Sequence, residues 1–307
     1  MSPSLVSPSL AWTLYERLLF DEDLRDDFAA DKESVFHMHG LSEPDRVRFR
    51  AMSLVGLQAD AEGRRRYLMA ALCRPYPLSA AAIGADNPRA LSRFLSTPAL
   101  FLPLAERSAR FGDHLSGLLD TLEDNLPDVA GRLIRAVLSV ERALVDNAAA
   151  LRDAAGRGEA PGQPSPPSSA QLKRGRLRLP PYLLVAELPA PTELVRAALG
   201  GVGPEDVFPK IEAGQVSRDR LITVARAEEQ PVTLLCRGVV SGQSHERAGA
   251  GGLSPLVEVK HLRVELAGRQ GPLIQSLQAE PTLKELPPAR EALMRRLIEA
   301  GVVELTR

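Results

Sequence analysis

The stretch VEVKHLRVELAGRQGPLIQSLQ, residues 257 to 278, decides how the second half of the chain folds. Its first ten residues read as a strand. Apolar positions alternate as Val257, Val259 and then, after a one-residue shift, Leu262, Val264, and the shift predicts a bulge. GPLIQSLQ then reads as a short helix. The chain continues AEPTLKELPPAREALMRRLIEAGVVEL, residues 279 to 305, which predicts a second short helix, a longer third helix and a closing strand over 302–305. Leu273, Ile274, Leu277, Leu283, Leu286, Leu293, Leu297 and Ile298 supply the inner face of the three helices, and Gly301 ends the last. Small winged-helix modules are strung together in this order.

Working back from that module, PVTLLCRGVV (231–240) reads as a strand from its β-branched content. Tyr182 to Ala186, held between prolines, is too short for a helix and suits another strand. Between them TELVRAALGGVG (192–203) is a short helix stopped at Gly200. Upstream, apolar periodicity vanishes in AAGRGEAPGQPSPPSSAQ (154–171), whose Pro, Gly and Ser residues bury too little to offset their ordering entropy. Before that segment the chain reads almost wholly helical. Leu10, Leu14, Leu18, Leu24 and Phe28 recur at helical spacing, a helix before Pro75 is ended by that residue, and Val129, Leu133, Val137, Val140 and Leu144 form one stripe. The expected fold is therefore α+β: a helical bundle over 1–153, a linker over 154–172, and a smaller mixed domain over 173–307 ending in the winged-helix-like module.

Composition bounds the function. The chain has 307 residues, 44% of them hydrophobic, enough for two cored domains. Its 38 basic and 39 acidic side chains leave a net charge of -1, so nucleic acid or anionic lipid would have to be met by a local patch. Two cysteines, Cys73 and Cys236, without C-x-x-C spacing, fit a reduced, cytoplasmic protein. The sequence offers no basic n-region with a long apolar run, and no stretch of roughly 18 uninterrupted apolar residues.

Motifs for chemistry are sparse. G-x-S-x-G, H-E-x-x-H and G-x-x-x-x-G-K-[ST] do not occur, so a hydrolase elbow, a zincin and a P-loop have no support. His37 and His39 stand two apart with Asp31, Glu33 and Glu43 nearby. On helical sequence, however, i and i+2 side chains diverge, and a pair that packs and caps a helix end is expected instead of a metal site. His114 follows Asp113, which could orient it as a base, but it reads better as a packed helix position. Cys73 beside Arg74 reads as a buried helix cysteine, and GAGG (249–252) and His245 fall in a connector between strands. The run QLKRGRLRLPP carries Lys173, Arg174, Arg176 and Arg178 without interleaved aromatics, a weak footprint for nucleic acid. No catalytic constellation, metal set or cofactor motif is expected.

The strand at 257–266 and the helices after it resemble the end of RiPP recognition elements, small winged-helix relatives of which the PqqD-like peptide chaperones are the simplest. The resemblance covers roughly the last fifty residues. It implies recognition of a leader peptide by β-augmentation, with an edge strand pairing the peptide backbone and a neighbouring helix offering apolar pockets. On that reading the peptide-binding residues are Val257, Val259, His261, Leu262, Val264, Leu273 and Leu277.

In the first half, RRRYLMAALCRPYPLSAAAIG (64–84), FLSTP (94–98), RFGDHLSGLLD (110–120) and LIRAVLSVERALVDNAAALRDA (133–154) resemble the helical layout of partner proteins of multinuclear non-haem iron oxidases, the methanobactin-type enzymes that modify ribosomal peptides. The segment 14–49 also resembles the small helical subunit of extradiol dioxygenases, with His39 the residue to inspect. Together the resemblances imply a non-catalytic partner that binds a precursor peptide and presents it to an iron-dependent oxidase, without membrane or nucleic acid. The alternative is a winged-helix transcriptional regulator whose helix PAREALMRRLIEAG (288–301) enters a major groove through Arg290, Arg295 and Arg296.

Overall fold

The computed structural model describes residues 10–123, 126–226, 230–244 and 256–306. In chain order the helices α1 (Leu10–Phe20), α2 (Glu22–Ala30), α3 (Lys32–Met38), α4 (Glu43–Arg50), α5 (Leu54–Cys73), α6 (Pro77–Gly84), α7 (Pro88–Ser92) and α8 (Leu104–Glu123) come first. They are followed by α9 (Asp128–Gly156), α10 (Ser169–Arg174), β1 (Arg176–Arg178), β2 (Leu183–Leu188), α11 (Thr192–Ala198), α12 (Val207–Glu212) and α13 (Asp219–Arg226). The chain closes with β3 (Val232–Ser244), β4 (Leu256–Ala267), α14 (Gly271–Leu277), α15 (Pro288–Glu299) and β5 (Glu304–Thr306). The fold is α+β, with an N-terminal helical region and a smaller region that carries the strands.

By internal contacts the chain divides into two compact units, residues 1–121 with 202–217, and residues 122–201 with 218–307. These limits differ from the expected 1–153 and 173–307 for a physical reason. The stripe on α9 reads equally as a bundle seam or as a sheet cover, and α9 packs on β2, β3 and β4. Conversely α12 packs on α5 and α6, so residues 202–217 belong with the first helices.

In the first unit, capping side chains cut the chain into short helices. Asp21, Asp31, Ser42, Ser53 and Asn87 each accept a hydrogen bond from the first turn of the helix they precede. Leu14, Leu18, Leu24, Phe28, Phe36 and Phe49 are buried together, with the three phenylalanines edge to face. A second aromatic group joins Tyr76, Phe94 and Phe111, and the Tyr76 hydroxyl donates to the Ser108 carbonyl at 2.9 Å.

In the second unit β2, β3 and β4 form an antiparallel sheet in that order, and β1 pairs with β5. Residues 232 to 239 of the middle strand are all buried, because α9 covers one face and the C-terminal helices the other. Gly238 lets α9 approach: a Cβ there would collide with Leu151 Cδ1 and Asn147 Oδ1. Tyr182, in the left-handed region at φ 59°, is held by two donors to its carbonyl, the Gly238 amide at 3.1 Å and Asn147 Nδ2 at 3.0 Å.

Three expectations change. The bulge lies on β3, between Val240 and Gly242, while β4 runs without interruption from 256 to 267. The shifted apolar pattern on β4 instead records a strand covered on both faces. The second helix of the C-terminal module is a 3₁₀ turn, Leu283–Glu285, confined between Pro281 and Pro287, which break the helical ladder on either side. The Pro-rich segment lies on the second unit: the Pro161 carbonyl accepts from the Val240 amide at 3.3 Å, and Pro164 occupies the space beside Gly301. Gly301 ends α15 at φ +74°, as its position in the sequence predicts.

Candidate functional site

β4 is an edge strand of its sheet. Which of its backbone groups face outward follows from three hydrogen bonds. Gly268 N–H donates to Pro231 O at 2.8 Å, in line with the register that pairs 267 with 232 and 259 with 240. In an antiparallel ladder, residues that exchange backbone bonds alternate with residues that do not. Even-numbered residues of β4 therefore bond to β3, and Val259, His261, Arg263 and Glu265 turn their amides and carbonyls away from it. The opposite edge of β3 agrees: Gly238 and Val240 donate toward Tyr182 and Pro161, leaving the odd positions of β3 for β4. Among the described residues, no backbone hydrogen bond joins 256–266 to any segment but β3.

Side chains alternate with the same period. Val257, Val259, His261 and Arg263 lie on the face that α9 covers, across from Val240, Gly238 and Cys236. Leu262 and Val264 lie on the other face, half-buried against the cluster that contains Leu273, Leu277, Leu283, Met294 and Leu297. The structure thus distributes the expected peptide-binding residues in three places. Val257, Val259 and His261 are half-buried on one face of the edge, Leu262 and Val264 on the other, and Leu273 and Leu277 are core, exposed by 3% and 1%. Leu273 and Leu277 hold the module together and have little surface to offer a ligand; the half-buried Ile274 on the same helix has more.

The electrostatics of the α9 face are one-sided. Arg263 and Arg152 are exposed and neither has a carboxylate partner among the described residues. Burial first, and then these two arginines, push His261 down to about 4, so the ring is neutral; its Nε2 is buried without a hydrogen bond. Glu265, the acid on the same face, is engaged by the Thr192 amide and hydroxyl. Burial pushes the Cys236 thiol up to about 11, so it is inert as a nucleophile near neutral pH.

The remaining described candidates lie on other elements. Glu33 and Glu43 both bind Arg50, at 2.6 and 2.7 Å, and Asp31 caps α3. His37 is exposed and His39 half-buried, and no group of three or more potential metal ligands occurs among the described residues. His114 Nε2 lies 2.9 Å from the Ala90 carbonyl between Phe94 and Phe111, and burial lowers its pKa. Asp113 pairs with Arg110 at 3.7 Å. Cys73 is buried and Arg74 reaches Glu205. Lys173, Arg174, Arg176 and Arg178 are exposed. His245 and the GAGG segment lie outside the described residues.

Two clefts lie on the described residues of the first unit. One, of about 350 Å³, is polar, and two of its arginines are engaged: Arg65 with Glu22 and Glu212 at 3.2 and 3.1 Å, Arg25 with the carbonyls of Leu18 and Leu19. The other, of about 340 Å³, is lined by Phe20, Leu95, Pro98 and Phe101. On this unit Leu10, Trp12, Val55, Tyr67, Phe101 and Leu104 are exposed.

Compared with protein-family models, curated proteins and solved structures, the chain matches none. Among the described residues no helix is long and apolar enough to cross a membrane.

Sequence reasoning missed Arg237, Asn147 and Gly238, which build the second unit from inside. A lone arginine in PVTLLCRGVV was the available signal, since a charge inside an otherwise apolar strand requires a buried partner.

Proposed function

We propose that the chain is a non-catalytic partner protein whose second unit binds an extended segment of a ribosomal precursor peptide along β4 and presents it to a separate multinuclear iron-dependent oxidase, in a reduced cytoplasm. One observation carries this reading: an edge strand with outward amides and carbonyls at Val259, His261 and Arg263 and half-buried apolar side chains on both faces. A strand of that kind is completed by another strand, through main-chain bonds for affinity and side-chain seats for selection. A docking role for the first unit, with the oxidase as its partner, is what the resemblance of its sequence implies.

The test is a titration of the labelled precursor peptide encoded beside an iron oxidase gene, and of labelled duplex DNA, at low and high salt. Val259→Pro removes an outward N–H that the β3 ladder does not use, so it folds and loses the peptide. Arg295→Ala with Arg296→Ala, on the exposed side of α15, leaves peptide binding unchanged. Steeply salt-dependent duplex binding abolished by the arginine changes, with no peptide bound, would establish the regulator reading instead.

A further inference from the structure

Resting on the reading of β4 as a peptide edge, the distribution of side chains along that strand specifies what kind of segment it takes. We infer that the β4 edge selects a strand with an acidic residue flanked on both sides by apolar residues, the acid lying across from Arg263 and the apolar neighbours across from Leu262 and Val264.

Directly opposed side chains on adjacent strands interact most strongly. Arg263 is exposed on the α9 face, without a carboxylate partner among the described residues, and Arg152 of α9 adds a second unpaired cation acting on the same stretch. Among the described residues, the acid on that face of β4, Glu265, two residues on, is held by Thr192. A carboxylate on the incoming strand would meet both arginines. One residue to either side the incoming side chains cross to the opposite face, where Leu262 and Val264 are half-buried at the margin of the Leu273 and Met294 cluster. An apolar residue there continues the core, whereas a charged one would be desolvated without a partner. Toward the hairpin end Glu258 and Lys260 are exposed on that second face and pair with each other at 3.7 Å, so selection is confined to the stretch around Arg263.

The experiment is selection from a displayed library of random peptides about nine residues long, a span that covers the strand. The bait is the full chain, either wild type or Arg263→Glu, a surface change whose folding is checked by circular dichroism. Wild type is expected to enrich Asp or Glu between two apolar residues, and Arg263→Glu to enrich Lys or Arg at that position. Each synthetic peptide should bind its own bait about five- to tenfold more tightly than the other. Amide protection then locates the selected peptides. If they protect β4 on both baits with no charge preference, the inference is overturned and the edge reading stands. If no peptide is enriched, or those enriched protect another element, both are overturned.

Discussion

The Glu304 carboxylate accepts a hydrogen bond from the guanidinium of Arg237, a side chain only 1% exposed in the middle strand of the sheet. Arg237 also donates to the Gly301 carbonyl at 2.8 Å, so one buried cation fastens the turn after α15 and the closing strand β5 to β3. Removing the acid strands the charge. Glu304→Ala is expected to cost about 2–4 kcal/mol, toward the lower end because Glu304 itself is partly solvated. Arg237→Met, which removes the charge and fills the space, should cost less than the Glu304 change, and the double variant should recover part of the loss. Urea unfolding monitored by circular dichroism measures all three. A Glu304→Ala protein as stable as wild type would contradict the assignment.

His261 makes the second unit acid-sensitive. Its folded pKa, about 4, lies below the 6.5 of the unfolded chain, with Arg263 on its own strand and Arg152 on α9 reinforcing the effect of burial. Between those values the unfolded chain takes up a proton that the folded chain refuses. Stability is therefore complete above pH 6.5 and falls as pH drops from 6.5 toward 4, by roughly 1–2 kcal/mol once screening of a half-buried ring is allowed for. His39 and His114 are shifted in the same direction and steepen the same limb in the first unit. His261→Gln should flatten the slope of stability against pH over that window. An unchanged slope would mean that the ring is protonated in the fold.

Proteolysis within 157–168 should nick the chain without releasing a fragment. The sequence alone predicts a spacer whose cleavage frees two domains, but α9 before it and the sheet after it belong to one unit. The expected result is two bands on a denaturing gel and a single species on a sizing column. Separation of the nicked pieces under native conditions would contradict the packing of α9 on the sheet.

What can be read from the sequence follows the range of the interactions involved. Local signals are legible: the proline that ends α5, the Gly301 stop and the strands of the second unit. Pairing across the chain is not. The stripe on α9, carried by Leu133, Val137 and Leu144, says only that one face is apolar, and whether helices or a sheet cover it is decided by residues far away. For the same reason β4 is recognisable as a strand, yet the division of its side chains between two covered faces imitates a bulge. Leu273 and Leu277 are recognisable as an inner face, but a sequence cannot tell an inner face that is closed from one that is open to a ligand.

The claim that β4 is completed by a peptide strand is tested most directly by residue-resolved amide exchange, with and without the precursor peptide. The even-numbered amides at 260, 262 and 264 are already bonded to β3 and should be slow in both states. The outward amides of Val259, His261 and Arg263 should exchange quickly in the free protein and become protected when the peptide binds, giving an alternating pattern along one strand. Peptide binding that leaves those three amides unprotected, or that protects α15 instead, would contradict the account.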